Sequence, residues 1–371
     1  MSAPMPHARS KTVVHVIGAR PNYMKIAPVM EALRPAPGIR QVLINTGQHY
    51  DQSMAGSFLN ELDLPAPDHD LGVGSGSHAV QTAKVMIAFE EICLAERPDL
   101  VVVVGDVNST LAASLVAAKL VIPIAHVEAG LRSGDRAMPE EINRIVTDRL
   151  ADLLLTPSRD ADANLLAEGT PREKIHFVGN VMIDTLRRHQ RMATLDRVRN
   201  RIPVGDAPYA VLTLHRPSNV DNRETFGSIL QAIRVVAATM PVVFPVHPRT
   251  RSRLREFELE AELEGVILTE PLGYIDFLSL TANAAIMLTD SGGLQEESTA
   301  LGIPCLTLRE NTERPATVTD GTNRVVGTRA ADIIDGFTTA MSDGTAARMP
   351  ELWDGHAAER VATVIREFLS R

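Results

Sequence analysis

Short apolar runs rich in β-branched residues alternate with longer stretches of helical periodicity along most of the chain, and this alternation limits the possible folds more than any other feature. Runs of this kind are typical of strands buried on both faces, as in a parallel sheet covered by helices. The sequence therefore predicts α/β architecture. Strands are predicted at 12–17, 41–45, 100–104, 123–126 and 153–156, and again at 209–214, 242–245, 266–268, 285–288 and 305–308.

The two series of strands indicate two domains. A chain of 371 residues is longer than one hydrophobic core usually supports, and an Arg-, Gly- and Pro-rich stretch at 197–208 separates the two series. We expect an N-terminal Rossmann-like domain at 1–180 and a C-terminal one at 181–371, with the last helix packing back on the N-terminal domain. Their parallel sheets are expected to face each other across a cleft, with ligands bound beyond the carboxyl ends of the strands.

Composition excludes several classes of protein. The net charge of -9 argues against a nucleic-acid partner, which requires a broad Lys/Arg surface. The only cysteines, Cys93 and Cys305, lie in apolar stretches and cannot build a disulfide framework or a zinc site. The N-terminus lacks the apolar segment of a signal peptide, and no run reaches the ~18 apolar residues of a membrane span. A cytoplasmic protein without membrane contact is expected.

A strand, a turn with two glycines and a helix follow one another around Ser291, Gly292 and Gly293. Backbone N–H groups at the start of such a helix, together with its dipole, favour a bound phosphate. Glu297, one turn further on, is suited to accept hydrogen bonds from ribose hydroxyls. The alternative is an ordinary turn in which Ser291 only caps the helix.

Two cations flank the first strand-to-helix turn. Arg20 and Lys25 surround Pro21, a residue suited to the first position of a helix. Positive charges there would stabilise a departing diphosphate, whereas the alternative is two ordinary surface side chains. The turn has no Gly-x-Gly-x-x-Gly pattern, so NAD binding has little support, and no metal-binding motif occurs elsewhere.

Three acids, Asp106, Glu128 and Glu140, lie at or near the carboxyl ends of predicted first-half strands. Removing a weakly acidic C–H proton and returning one to the opposite face requires more than one such group. Asp106 and Glu140 have an alternative role as helix-terminus residues, but Glu128 between an apolar strand and Ala-Gly must be paired or functional. The side chains suggested as its partners are Arg132, Arg136 and Arg144. His215, after the first strand of the second half, is suited to bind phosphate or move a proton, whereas the alternative is a histidine that only caps the strand.

The ordered set of these segments resembles the non-hydrolysing UDP-N-acetylglucosamine 2-epimerases over nearly the whole chain. The matching segments are Gly18-Ala19-Arg20-Pro21 with Lys25, Gly47-Gln48-His49, Gly105-Asp106, 126–132, Pro139-Glu140-Glu141 with Asn143-Arg144, Gly179-Asn180, His215-Arg216, Pro245-Val246-His247, 290–297 and Thr312-Glu313-Arg314-Pro315.

The resemblance implies a GT-B-like fold that binds a UDP-sugar, a homodimer, and no requirement for metal or NAD. It implies epimerisation at C2 by elimination of UDP to 2-acetamidoglucal and re-addition. The site residues it implies are Asp106, Glu128, Glu140 and His215 for catalysis, Arg20, Ser291, Gly292 and Gly293 for the diphosphate, Glu297 for the ribose, Phe277 near the uracil, and Lys25, Arg144 and Arg314 as further active-site positions.

The chain also departs from many bacterial members of the family, which carry other residues at Asn22, Tyr50, Asp51, Pro217 and Ser218. These positions help to bind a second, allosteric UDP-GlcNAc in some relatives, so we expect that activation to be lost or altered here. Four alternatives stay open: a 2-epimerase for another UDP-sugar such as UDP-glucose, a GT-B glycosyltransferase, a hydrolysing 2-epimerase, and a catalytically silent sugar-nucleotide binding protein.

Overall fold

The computed structural model describes residues 10–48, 62, 64–342 and 348–371, and these form two compact units. The first unit contains the described residues up to Thr185 together with Asp354–Arg371, and the second contains those from Leu186 to Trp353. The chain therefore leaves the first unit once, builds the second, and returns.

The first unit is a parallel sheet with helices. Its strands are β1 (Lys11–Ile17), β2 (Ile39–Asn45), β3 (His69–Asp70), β4 (Leu100–Val104), β5 (Ile124–Val127), β6 (Leu153–Thr156) and β7 (Ile175–Phe177). Its helices are α1 (Arg20–Leu33), α2 (His78–Glu96), α3 (Asn108–Lys119), α4 (Pro139–Leu150) and α5 (Arg159–Ala167), a 3-10 turn at Arg172–Lys174, and α15 (Ala357–Leu369). The strand order is β3-β2-β1-β4-β5-β6-β7.

The second unit repeats this plan. Its strands are β8 (Ala210–Thr213), β9 (Val242–Pro245), β10 (Val266–Thr269), β11 (Ile286–Thr289), β12 (Cys305–Thr307) and β13 (Asn323–Val325), in the order β10-β9-β8-β11-β12-β13. Its helices are α7 (Asp196–Arg199), α8 (Pro217–Val220), α9 (Arg223–Ala237), α10 (Pro248–Glu256), α11 (Tyr274–Thr281), α12 (Gly292–Leu301), α13 (Ala316–Thr319) and α14 (Ala330–Ser342), with a 3-10 turn at Glu260–Leu263. Helix α6 (Val181–Gln190) runs across the boundary between the units.

The predicted fold class of two Rossmann-like parallel sheets is confirmed. In each sheet the strand order reverses beside the first strand, so β1 pairs with β4 and β8 pairs with β11. Loops after such neighbouring strands diverge and leave room for a ligand. Each unit therefore has one such pair of loops, those after β1 and β4 in the first unit and those after β8 and β11 in the second.

Helix α15 shows how the sequence completes the first unit. Ala358, Val361, Ala362 and Ile365 are buried at helical spacing, and the helix packs against α1. The Asp184 carboxylate accepts hydrogen bonds from the N–H groups of Ala357 (3.2 Å) and Ala358 (2.8 Å), which satisfies two of the otherwise unpaired donors of this helix start. Within the described ranges, no helix is long and apolar enough to cross a bilayer.

Candidate active site

The loops after β1 and β4 are joined by the buried side chain of Asn22. Its Oδ1 accepts from the N–H groups of Gly18 (3.1 Å) and Ala19 (3.0 Å), and its Nδ2 donates to the Val104 carbonyl (3.1 Å). Asn22 thus fixes the turn that opens α1. Helix α1 begins at Arg20, whose side chain lies outside the part of the chain that is described, as do His49, Tyr50 and Asp51.

Lys25 and Glu128 form a buried ion pair beside Gly105. A Cβ at position 105 would lie 3.3 Å from Glu128 Oε2 and from Lys25 Nζ, and Gly105 has a φ of +65° that favours glycine. Glu128 itself has a φ of 72°, a left-handed conformation that costs a non-glycine residue roughly 1–2 kcal/mol. Lys25 is therefore a partner of Glu128, although the sequence did not suggest it. Helix α1 brings Lys25 to Glu128 across 103 positions of sequence.

Asp106 and Arg144 form a second ion pair in the same region. The Asp106 carboxylate is 29% exposed, while Arg144 is buried and also contacts Glu141 (2.6 Å). Burial alone would raise the pKa of Glu141, but the N–H groups of Ser133 and Gly134 and the Arg144 guanidinium outweigh it and lower that pKa. Glu141 therefore fixes the position of Arg144, and part of the Asp106 carboxylate stays accessible to solvent.

The start of α4 supplies the third predicted acid. Glu140 is partly exposed in the first turn, and Asn143 in the next turn donates to the Asp106 main-chain carbonyl (2.8 Å). The alternative in which Asp106 caps helix α3 is wrong, because Val107 occupies the cap position and no side chain bonds there. The Asp106 side chain therefore does not cap α3.

In the second unit, Ser291 holds the cap position of α12 but its side chain makes no capping hydrogen bond. The Ser291 N–H donates to Thr289 Oγ1 (2.9 Å). The alternative of Ser291 as an ordinary side-chain cap is therefore wrong. The hydroxyl and the first N–H groups of α12, including that of the partly exposed Gly293, form the end of the helix that favours an anion.

Asp290 organises the loop after β8. It is fully buried and accepts hydrogen bonds from the main-chain N–H groups of His215 (3.0 Å) and Arg216 (2.9 Å), and its carboxylate lies 2.9 Å from His215 Nδ1. Burial would raise the pKa of Asp290, but these contacts outweigh it and lower the pKa. The half-exposed His215 ring is held by Asp290 at one nitrogen.

Glu313 forms ion pairs with three arginines beside the start of α12. It lies 2.5 Å from Arg314, 2.8 Å from Arg309 and 3.5 Å from Arg216, and although burial opposes it, the arginines hold its pKa well below the usual range. A Cβ at Gly292 would lie 2.6 Å from Arg314 Nη1. The absent side chain of Gly292 therefore makes room for Arg314, a contact between residues 22 positions apart.

Glu297, for which a contact with ribose was predicted, is almost fully buried in α12, with only 3% of the residue exposed. Burial and the neighbouring Glu296 raise the pKa of Glu297 to about 8, although a hydrogen bond with the Tyr274 hydroxyl lowers it. Phe277, one turn after Tyr274 in α11, is partly buried against two apolar clusters that include Leu280 and Met287. This side of the unit combines an apolar wall with buried hydrogen-bonding groups.

The chain is similar to known proteins in both sequence and structure. The family described as UDP-N-acetylglucosamine 2-epimerase matches residues 31–366. The UDP-N-acetylglucosamine 2-epimerase of Methanocaldococcus jannaschii is 42% identical over 359 residues, which cover 94% of this chain and 97% of that protein. The UDP-2,3-diacetamido-2,3-dideoxy-D-glucuronate 2-epimerase of Pseudomonas aeruginosa is 37% identical over 356 residues, covering 94% and 98%. A crystal structure of the M. jannaschii enzyme with UDP-GlcNAc and UDP has a TM-score of 0.89 at 40% identity, covering 96% of this chain and 99% of that one.

Proposed function

The chain belongs to the UDP-N-acetylglucosamine 2-epimerase family, and from that membership we propose that it interconverts UDP-N-acetylglucosamine and UDP-N-acetylmannosamine. In the forward direction a base removes the C2 proton while the bond from C1 to the UDP oxygen breaks, giving 2-acetamidoglucal and UDP. UDP then adds back at C1, and a proton is delivered to the opposite face of C2. No net oxidation occurs, and the atoms of substrate and product are the same.

The observation that carries this proposal is the pair of acids around Gly105, each held by its own cation. Glu128 is paired with Lys25 and Asp106 with Arg144. An elimination followed by re-addition on the other face needs two groups that exchange protons with C2. We assign proton exchange at C2 to Asp106 and Glu128, with Glu140, in the first turn of α4, as a further acid.

We assign the nucleotide to the second unit. The start of α12, with Ser291, Gly292 and Gly293, favours the diphosphate, and Arg314 adds a fixed positive charge there. Stabilising the charge that develops on UDP is what makes removal of a weakly acidic proton feasible. We assign His215 to the same diphosphate, Glu297 and Tyr274 to the ribose, and Phe277 to the uracil ring.

Proton exchange at C2 tests this function. The enzyme is incubated with UDP-N-acetylglucosamine in heavy water without any acceptor, and C2 is followed by NMR. We expect deuterium at C2 of both epimers and no net release of UDP. Free UDP equal to product would indicate a hydrolysing enzyme, dependence on an acceptor would indicate a glycosyltransferase, and UDP binding without label at C2 would indicate a silent binding protein.

A second substrate is favoured by one comparison. The Pseudomonas aeruginosa relative acts, by its name, on a UDP-sugar that carries a second acetamido group and a carboxylate, and its similarity to this chain covers 94% of the sequence. That sugar, UDP-glucose and UDP-N-acetylglucosamine should be supplied as competing substrates in heavy water. The ratio of initial labelling rates measures the preference directly, and we expect UDP-N-acetylglucosamine to be labelled fastest.

A homodimer is proposed from an exposed stripe on α2. Val80, Ile87 and Leu94 are 49%, 67% and 61% exposed, and their spacing of seven residues places them on one face of the helix. An exposed apolar stripe of this kind is typical of an interface, and we assign it to a second copy of the chain. Ile87→Glu should shift the mass measured by light scattering from dimer to monomer, whereas Leu166→Glu, at another exposed apolar position, should not. A dimeric Ile87→Glu variant would contradict this surface.

We place the protein in the cytoplasm. Cys93 and Cys305 are free, buried thiols, which agrees with a reducing compartment. Nucleotide-sugar substrates are expected in the same compartment. Fractionation of cells that express the chain tests this location.

A further inference from the structure

Two fully buried histidines in the first sheet have partners of different chemistry. His15 on β1 contacts the neutral side-chain amide of Gln41 (Nε2 to Oε1, 2.9 Å), and burial lowers its pKa to about 4, so its ring is neutral. His126 on β5 contacts Asp148 Oδ1 through Nδ1 (2.6 Å) and the Gly105 carbonyl through Nε2 (2.8 Å). Both nitrogens of His126 therefore face acceptors.

The partners of His126 decide how many hydrogens its ring carries. A carbonyl oxygen can only accept, so Nε2 must donate to Gly105. The other oxygen of Asp148 accepts from Gly130 N–H (3.1 Å) and from Arg132 (2.7 Å), contacts that favour the ionised carboxylate. An ionised Asp148 oxygen at 2.6 Å requires a hydrogen on Nδ1 as well.

We propose that His126 is a buried imidazolium paired with ionised Asp148, and that the pair is a positioning device for the Gly105–Asp106 peptide. This role rests on the proposed function, because Asp106 is the acid that the pair would position. His126 touches main chain and Asp148 and is therefore a positioning residue. The pair has no net charge, so it acts on the geometry of the loop.

Helix α4 holds this loop at three points. Asn143 donates to the Asp106 carbonyl, Arg144 pairs with the Asp106 carboxylate, and Asp148 acts through His126 on the Gly105 carbonyl. Arg144 and Asp148 are four residues apart and so lie on one face of the helix. The peptide between Gly105 and Asp106 is thereby held on both sides, which fixes where the Asp106 carboxylate points. A misplacement of about 1 Å in such a group lowers turnover by roughly 10²-fold.

The protonation state is tested on the wild-type protein by NMR, without substrate. With histidine ring nitrogens labelled with ¹⁵N at pH 7.5, His126 and His15 are assigned from the signals lost in His126→Gln and His15→Gln. We expect hydrogens on both nitrogens of His126 and on one of His15. In Asp148→Asn the new amide donates to Nδ1 while its oxygen accepts from Gly130 and Arg132, so His126 should retain one hydrogen. A single ring hydrogen on His126 in the wild type would overturn the proposal.

Turnover tests the positioning role. Asp148→Asn should lower kcat about 10-fold or more while UDP affinity stays within about twofold, since no nucleotide contact changes. Glu168→Gln is the matched control, because it removes an exposed carboxylate from the same Arg132 without touching His126. Unchanged kcat in Asp148→Asn, or equal losses of kcat and UDP affinity, would overturn the role. If the wild type fails to label C2 while His126 is doubly protonated, only the proposed function and the role that depends on it are lost.

Discussion

Asp106 and Glu128 differ in access to solvent, although each is held by one cation. Asp106 is partly exposed beside Arg144, whereas Glu128 is buried with Lys25. Asp106→Asn and Glu128→Gln keep the shape of each side chain and remove the ability to exchange a proton. Each should lower kcat by roughly 10²-fold or more with little change in UDP affinity.

Single-turnover kinetics and UDP titration measure the two quantities separately. Glu90→Gln, an exposed acid on α2, provides the control and should have normal turnover. Near-normal turnover in both Asp106→Asn and Glu128→Gln would remove the acid and base assignment.

Glu297 should weaken the folded state at neutral pH. The pKa of Glu297 is raised to about 8 in the folded protein by burial, against an ordinary value of 4.5. Well below pH 4.5 the group is protonated whether the chain is folded or not, so it makes the free energy of unfolding neither rise nor fall with pH. Between pH 4.5 and 8 the unfolded chain loses this proton first, so the free energy of unfolding falls as pH rises, by roughly 1.4 kcal/mol for each unit of pH.

Glu297→Gln should therefore have a higher Tm than the wild type at pH 8 and the same Tm near pH 4.5. Thermal denaturation without ligand across this range measures the difference, and Glu264→Gln, at an exposed position of the same unit, serves as the control. A Tm difference that does not grow with pH would contradict the buried, protonated state of Glu297.

Individual partners were the part of the site that sequence could not predict. The residue types at the strand ends indicated acids and cations, because charged groups after buried strands need a reason to be there. Pairing depends on which loops the sheet order brings together, and Lys25 reaches Glu128 across 103 positions. Asn22 and the contact of Glu313 with Arg216 were missed for related reasons, since Asn22 bonds to the main chain and Arg216 is distant from Glu313 in sequence.

At the scale of elements, the start of α12 depends on the absence of a side chain at position 292. In Gly292→Ala the new Cβ would meet Arg314 Nη1 at 2.6 Å and Glu313 Oε1 at 2.7 Å. Arg314 must then move away from the helix start, and UDP affinity should fall by about tenfold or more, which corresponds to roughly 1.4 kcal/mol.

Gly227→Ala is the matched control for this change. Gly227 lies within helix α9, where a Cβ would have Leu259 at 3.9 Å as its neighbour, so the substitution should stabilise the helix by roughly 1 kcal/mol. Calorimetric titration with UDP compares the two variants. Wild-type affinity in Gly292→Ala would show that Arg314 does not act through this position.

Long buried strands were predictable and short edge strands were not. The ten predicted strands are all present and parallel, with bounds that differ by at most two residues at either end. The strands β3, β7 and β13 were not predicted. They have two or three residues, and His69–Asp70 and Ile175–Phe177 are not fully buried, so neither length nor apolar character distinguishes them from loops.

The whole molecule consists of one continuous and one discontinuous unit, and this predicts different responses to truncation. The second unit is an uninterrupted segment with its own core around Phe226, Ile233 and Phe244. The first unit needs α15, whose buried face includes Val361 and Ile365. A protein ending at residue 353 should therefore lose hydrogen-exchange protection in α1 and β1 while the second unit keeps it.

The isolated segment 186–353 provides the complementary measurement. It should unfold cooperatively and retain weak UDP binding, because the residues assigned to the nucleotide are nearly all within it. A molten 186–353 segment, or full protection of α1 after truncation at 353, would contradict this division.

The return of the chain to the first unit also sets an order of events during synthesis. Helix α15 leaves the ribosome after the whole second unit, so the nascent first unit lacks this helix while residues 186–353 are translated, which takes roughly 8 to 34 seconds at about 5–20 residues per second. During that time the apolar surface of α1 that α15 covers is available to chaperones. The second unit can fold in this interval, so the unit synthesised first is the one completed last.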